Sequence, residues 1–427
     1  MERWQFRFFT IWTGQSLSLV GSVAAQFALV WWITKETGSA TVLATASLVA
    51  LAPSIVLRPF IGVLVDRLSR KRVMIVADTF IALVSMWLAY LFWSGAMEIW
   101  HVYVVMLARS LGDAFHGTAM SASTALLVPK RHFARVEGMN QVIGGGMGVA
   151  GPLLGALLVA LLPLHGIMLL DFGTAAFAVL PLLAFAMPQP EPMAGDEEAK
   201  PHFWRDFRSG LRYVLGWRGL LALCGLLVVL NFALAPAFSL TPLLVLKGFG
   251  GEAAMLGWFN SALGLGTVLG GLLLGVWGGF RRKIVTTLLA VSGTGAALFL
   301  PALAPGDRCV VAIGGFFLAG LMMAIANGCL RATFRGVVHP AMQGRVGALM
   351  GSLATAMNPL GLAIAGPVAD VIGVKPWFAI AGGVLVAGGL AGLWLPSLAR
   401  IETEAEARGA RHASGGSPTA VPCDEAA

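Results

Sequence analysis

Residues 62–78 read GVLVDRLSRKRVMIVAD. An apolar run stops at Val65, a charged cluster of Asp66, Arg67, Arg70, Lys71 and Arg72 follows, and apolar sequence resumes at Val73. The stretches on either side, residues 40–65 and 73–94, are each about as long as a membrane-spanning helix, which needs about 20 mostly apolar residues. A charged loop between two such stretches is the joint of a polytopic membrane protein.

The rest of the chain extends that reading. Of 427 residues, 57% are hydrophobic and only 12% are charged, too few charges to disperse a soluble enzyme of this size. Gly 54 and Pro 21 show no collagen-like period, and four scattered cysteines make neither a disulfide framework nor a metal-ligand spacing. Parsing the apolar runs predicts twelve spans, at 6–34, 40–65, 73–94, 100–128, 138–162, 167–187, 219–246, 254–279, 284–305, 310–334, 346–370 and 376–396.

The net charge of +8 is a topology signal rather than a nucleic-acid signature. With the N-terminus inside, 22 of the 29 Lys and Arg fall on the inner side, and only Lys35, Lys247, Arg308 and Lys375 on the outer. That asymmetry follows the positive-inside rule for an even number of helices with both termini cytoplasmic. Arg3 and Arg7 precede the first run as in a signal peptide, but the run continues through Trp31 and Trp32, which read as interfacial anchors.

Four segments follow: a six-helix bundle over 1–187, a cytoplasmic linker over 188–218, a second six-helix bundle over 219–400 and a disordered cytoplasmic tail over 401–427. The linker contains HFWRDFRSGLRYVLGWRG, a basic amphipathic segment expected to lie on the inner membrane surface. The halves echo each other. Pro129…Arg135-Val136 returns as Pro340…Arg345-Val346, Gly62…Arg70-Lys71 as Gly275…Arg282-Lys283, and Gln15 as Asn231, at offsets of about 210–216 residues. A duplicated six-helix unit of this kind binds substrate near the midplane between halves that rock alternately.

The 62–78 loop, with a glycine, then an acid and arginine, then a basic cluster, resembles the loop signature of the major facilitator superfamily. The resemblance implies an all-α fold of twelve transmembrane helices in two pseudo-symmetric bundles. It makes Gly62, Asp66, Arg67, Arg70, Lys71 and Asp78 a conformational latch: Gly62 allows close helix contact, Asp66 accepts from a neighbouring helix end or arginine, and the basic residues hold the anionic inner leaflet. Arg58, eight residues before Asp66, is a structural partner for Asp78. In the second half Gly279 and Phe280 stand where the acid and arginine belong.

The fourth span reads ARSLGDAFHGTA over 108–119. Steps of four and seven residues put Arg109, Asp113 and His116 within about 60° on one helix face. Ionisable residues in a span are costly and face a partner or a watery cavity. Arg109, with Gly112 three residues on, resembles the superfamily's fourth-helix arginine, which is associated with proton coupling. Asp113 is then the titrating carboxylate paired with Arg109, and His116 a relay or substrate contact. The structural alternative is a static Arg109–Asp113 pair with His116 donating to a backbone carbonyl. Asp171 and Asp370 fall near outer helix ends, where helix termini or Lys375 satisfy them.

The fifth span, GMNQVIGGGMGVAGPLLGALL, resembles the antiporter signature at Gly138, Gly151, Pro152 and Gly155, while Met147 and Ala156 replace expected glycines. Together with GQSLSLVGSVAAQFALVWWITKETGSATVLA near the N-terminus and LGWFNSALGLGTVLGGLLLG at 256–275, it resembles the drug:proton antiporter branch that contains macrolide-efflux-like exporters and the enterobactin exporter.

The resemblance puts the cavity on spans 1, 4, 7 and 10, which offer Gln15, Phe27, Asn231, Phe232, Phe238, Met322, Met323 and Asn327, an apolar and amide surface suited to bulky amphipathic molecules. The expected function is proton-driven export of drug-, macrolide- or siderophore-like molecules from a bacterial inner membrane by a monomer. No catalytic residue, metal, cofactor or nucleic acid is expected, and the partners are substrate and lipid. Uptake of a metabolite or organic ion by the same fold is the alternative, and a non-transporting scaffold or sensor the third; import in intact cells marks the one, a large folded appendage the other.

Overall fold

The computed structural model describes residues 3–185, 203–405 and 407, and the described residues are helices joined by short loops. The N-terminal half comprises α1 (Arg3–Thr37), α2 (Ala40–Val56), α3 (Arg58–Arg67), α4 (Arg70–Ser94), α5 (Ile99–Leu127), α6 (Phe133–Leu161) and α7 (Leu164–Ala184). After α8 (Phe203–Leu215), the second half comprises α9 (Arg218–Ser239), α10 (Thr241–Leu243), α11 (Ala253–Trp277), α12 (Lys283–Leu303), α13 (Cys309–Val337), α14 (Pro340–Ile372), α15 (Val374–Trp394) and α16 (Pro396–Ala399).

Ten of these helices are long and apolar enough to cross a membrane. Two more complete the twelve. Helix α5 is as long as its neighbours but carries Arg109 and Asp113, and α2 and α3 form one span broken at Leu57, where Pro53 and Pro59 flank the joint. Large apolar side chains such as Val276, Val371 and Trp394 are more than four-fifths exposed on the outer faces, as in a bundle solvated by lipid rather than water.

The helix pairings repeat between halves. In the first, α1 packs on α7 and α6, α4 on α7 and α5, and α2 on α5. In the second, α9 packs on α15 and α14, α12 on α15 and α13, and α11 on α13. Each pair has its counterpart, so the weak sequence echoes reflect a duplicated architecture. The halves meet through α2 on α14 and α6 on α11.

Small residues set how close these helices come. A Cβ at Gly266 of α11 would meet the backbone carbonyl of Phe317, and one at Gly320 of α13 the carbonyl of Leu263. Backbone cannot swing aside, so Gly266→Val is expected to cost about 3 kcal/mol and to lower the unfolding midpoint of the purified protein, while Gly275→Val on the same helix, which faces open space, leaves it unchanged.

Three expectations need correction. Trp31 is buried in the main core and is not an interfacial anchor, because α1 runs on to Thr37. The amphipathic segment is helical, but it docks on the second half as well as facing outward: Val214 is buried in that half's core and Gly210 sits against the Arg345 backbone. Its first five side chains lie outside the described residues. The packed chain also runs past Arg400. Ile401 is fully buried, and Glu402 accepts from the Ile284 backbone N–H at 3.0 Å, capping α12, and from the Thr333 hydroxyl at 3.0 Å. Residues 186–202, 406 and 408–427, which hold the rest of the linker and the tail, are not among those described.

Candidate functional site

Five helices of the first half, α1, α4, α5, α6 and α7, converge on a cavity of about 320 Å³ that carries most of the span-embedded charge. Deepest is a buried ion pair. Arg109 Nη1 lies 2.6 Å from Asp171 Oδ2, with side-chain exposures of 7% and 3%. Ser85 Oγ accepts from Arg109 at 2.9 Å and donates to Asp171 at 2.6 Å, and Ser22 Oγ donates to the other carboxylate oxygen at 3.0 Å. A buried pair persists only if its remaining hydrogen-bonding capacity is filled, and two serines and the Ser22 carbonyl help to fill it here.

This corrects the expected Arg109–Asp113 pair. Helical side chains lean toward the N-terminus of their helix, so Arg109 reaches away from Asp113 and across to α7. Asp171 looked like a helix-end residue because the span was expected to begin at 167. The helix begins at Leu164, which places Asp171 two turns inside. A carboxylate that far from a helix end was the missed signal.

Freed from Arg109, Asp113 is exposed to the cavity. Beside it, His116 Nδ1 lies 2.8 Å from Asp78 Oδ1, a close contact without the alignment of a hydrogen bond. Gln15 Nε2 donates to Asp78 Oδ2 at 2.9 Å. Asp78 therefore belongs to the cavity and not to the loop latch, and its oxygens are engaged by α1 and α5 where Arg58 was the expected partner. The side chains of Arg58, Asp66 and Arg67 lie outside the described residues.

The other loop residues act within their own half. Arg70 donates to the Ala122 carbonyl at 2.9 Å and Lys71 to that of Leu183 at 3.3 Å, placing cations at the C-terminal ends of α5 and α7, where the helix dipole favours them. Gly62 faces open space, so it serves no close helix contact in this conformation.

A contact between halves does occur at the opposite end, where α1 finishes. Asp370, near the end of α14, accepts from the backbone N–H groups of Ala40 and Thr41 at 2.7 and 2.9 Å and from Ser39 Oγ at 2.9 Å. It thus caps α2 across the interface, satisfying amides that no helix turn can reach. Ser261 Oγ of α11 donates to the Val149 carbonyl of α6 at 2.6 Å, a second bond between halves.

Of the fifth-span motif, Gly151 packs against Val23 and Gly155 against the Phe27 ring, while Pro152 faces Gly257 across the interface. Gly138 meets nothing. Phe27 is consequently a buried packing residue and not a cavity wall. Gln15 lines the first cavity. Asn231, Phe238, Met323 and Asn327 line a second, of about 280 Å³, in the other half. Phe232 and Met322 line neither; Met322 packs beside Gly293. Among the described residues no group of three His, Cys, Asp or Glu is arranged to hold a metal ion.

Known proteins share this architecture. The chain is 32% identical over 387 residues to macrolide efflux protein A of Streptococcus pyogenes, covering 90% of this chain and 95% of that one. It is 28% identical over 396 residues to the multidrug efflux pump Tap of Mycolicibacterium fortuitum, covering 88% and 92%. In fold it resembles a bacterial homologue of the iron transporter ferroportin in its inward-facing state, with a TM-score of 0.73 at 12% identity over 94% of this chain and all of that one. The model of the Major Facilitator Superfamily matches residues 11–362. With paired six-helix bundles and that match over most of its length, the chain belongs to the Major Facilitator Superfamily.

Proposed function

We propose that this transporter exports hydrophobic or amphipathic small molecules from a bacterial inner membrane, driven by protons. The observation that carries the proposal is Asp113, a carboxylate exposed to a cavity beside the Asp78–His116 contact, while the neighbouring arginine is occupied by Asp171. The names of the efflux relatives support the direction, and the distribution of Lys and Arg supports cytoplasmic termini. In that orientation the Asp370 contacts hold α2 and α14 together at the outer side.

The cycle then turns on one carboxylate. Ionised, Asp113 holds a negative charge in the cavity and favours amphipathic or cationic substrate from the inner side. A proton from outside neutralises it, substrate leaves, and the empty carrier returns. Asp113 exchanges its proton with the cavity water directly, and the Asp78–His116 contact beside it sets the local charge. One charge moving through 100 mV supplies about 2.3 kcal/mol, enough for roughly a fifty-fold gradient.

The test is efflux of a macrolide from an exporter-deficient strain. Export is expected to stop when the proton gradient is collapsed, and to fall at least about a hundredfold in Asp113→Asn. Export that survives both treatments, or accumulation in intact cells instead, overturns the proposal.

A further inference from the structure

The cavity of the second half differs chemically from the first. It lies among α9, α12, α13, α14 and α15, and every residue lining it is uncharged. Leucines are the commonest residues of the wall; the polar members are three asparagines and two threonines. Most of the donors that can be placed are already used within their own helices. Asn231 Nδ2 donates to the Leu227 carbonyl at 2.9 Å, Thr287 Oγ1 to Lys283 at 3.0 Å and Thr294 Oγ1 to Ala290 at 2.9 Å.

One acceptor is left over. Asn358 Oδ1 on α14 is buried and has no hydrogen-bond partner. A buried amide oxygen without a donor is costly, and such exceptions in folded proteins ask for an explanation. Its neighbour Pro359 lacks an N–H, so the Thr355 carbonyl one turn back also loses its helical donor. Asn358 Oδ1 therefore gives an uncharged, largely apolar wall an unmet demand for a hydrogen-bond donor.

We infer that Asn358 is a specificity-determining residue of a substrate pocket in the second half, selecting molecules whose apolar body carries a neutral hydrogen-bond donor, a hydroxyl or an amide N–H. The leucine wall takes the body, and the donor pairs with Asn358 Oδ1. No carboxylate lines the cavity to offset the desolvation of a cation, so the group that pairs here is a hydroxyl or amide of the substrate, and any ammonium it carries stays outside this pocket. The inference rests on the export reading for its role in transport, but binding itself needs no proton gradient.

The test uses the full chain, purified in lipid nanodiscs, and two labelled probes: erythromycin, a macrolide with several hydroxyls, and tetraphenylphosphonium, an apolar cation with no donor. In Asn358→Leu, erythromycin binding is expected to weaken about ten-fold, the value of one hydrogen bond at 1.4 kcal/mol per decade. Tetraphenylphosphonium binding stays as it was, which also shows that the variant is folded. Asn358→Gln, which keeps a neutral amide acceptor, retains erythromycin affinity within about three-fold. The inference is overturned if the wild type does not bind erythromycin, if Asn358→Leu leaves its affinity unchanged, or if both probes weaken in parallel. Selective loss of erythromycin binding in a protein without proton-driven efflux sinks the export reading alone. Proton-driven efflux with unaltered erythromycin affinity in Asn358→Leu sinks this inference alone.

Discussion

Removing the Arg109 guanidinium is expected to destabilise the first half by about 3–5 kcal/mol, because it strands the Asp171 carboxylate where its side chain is 3% exposed. Arg109→Met and Asp171→Leu should each lower the unfolding midpoint and the yield of folded protein, since each leaves a buried charge with only serine partners. The double variant should recover most of the stability, because two apolar side chains replace a pair whose desolvation cost offsets much of its attraction. A coupling free energy of about 2 kcal/mol or more in that cycle is expected. Asp113→Asn, by contrast, should unfold near the wild-type midpoint, because Asp113 faces the cavity and is not the partner of Arg109. Additive effects of Arg109→Met and Asp171→Leu, or a loss of stability in Asp113→Asn as large as theirs, would restore the intrahelical pair that the spacing suggested.

The second large effect is conformational. Asp370→Leu removes three hydrogen bonds between the halves and a negative charge from the N-terminal end of α2, where the helix dipole favours one. Asp370 is exposed, so solvent discounts each bond, and about 2 kcal/mol in total is a fair magnitude. That shifts the balance between closed and open states of this end roughly thirty-fold toward open. Spin labels on Ala96→Cys and Asp307→Cys, in loops of the two halves at this end, report the change as a longer distance population. Ser39→Ala, which removes a single bond, should produce a smaller shift in the same direction. Identical distance distributions in wild type and Asp370→Leu would show that α2 on α14 is held by packing alone, through Gly366 against Thr41 and Ala44.

Both effects rest on aspartates that the sequence had placed near helix ends, and the outcomes differ. Asp370 does bind a helix terminus, that of α2, as its position suggested. Asp171 does not, because an apolar run blurs the start of a helix by a few residues, and three residues separate a capping position from the interior. The loop signature was legible as a joint between spans, yet its members divide in space. Arg70 and Lys71 bind the ends of α5 and α7, whereas Asp78, two turns further along α4, joins the cavity. Phe27 shows the limit for apolar positions: a phenylalanine on α1 has the same composition facing a cavity or a glycine, and Gly155 opposite it decides which.

The membrane architecture was legible from the residues alone. Twelve apolar stretches, the basic loops and repeat offsets near 213 residues follow from transfer free energies and from duplication, which are properties of local composition. The presence of rare ionisable residues within spans was equally visible, since each is costly wherever it points. Their partners became visible with the packing of the helices. Arg109 and Asp171 are 62 residues apart and meet because α5 and α7 both flank α4. Asp370 and Ala40 are 330 apart and meet because α14 packs on α2. Charges in a span choose among carboxylates, hydroxyls and helix ends by distance and burial, and these are set by helix packing, which a linear pattern does not encode.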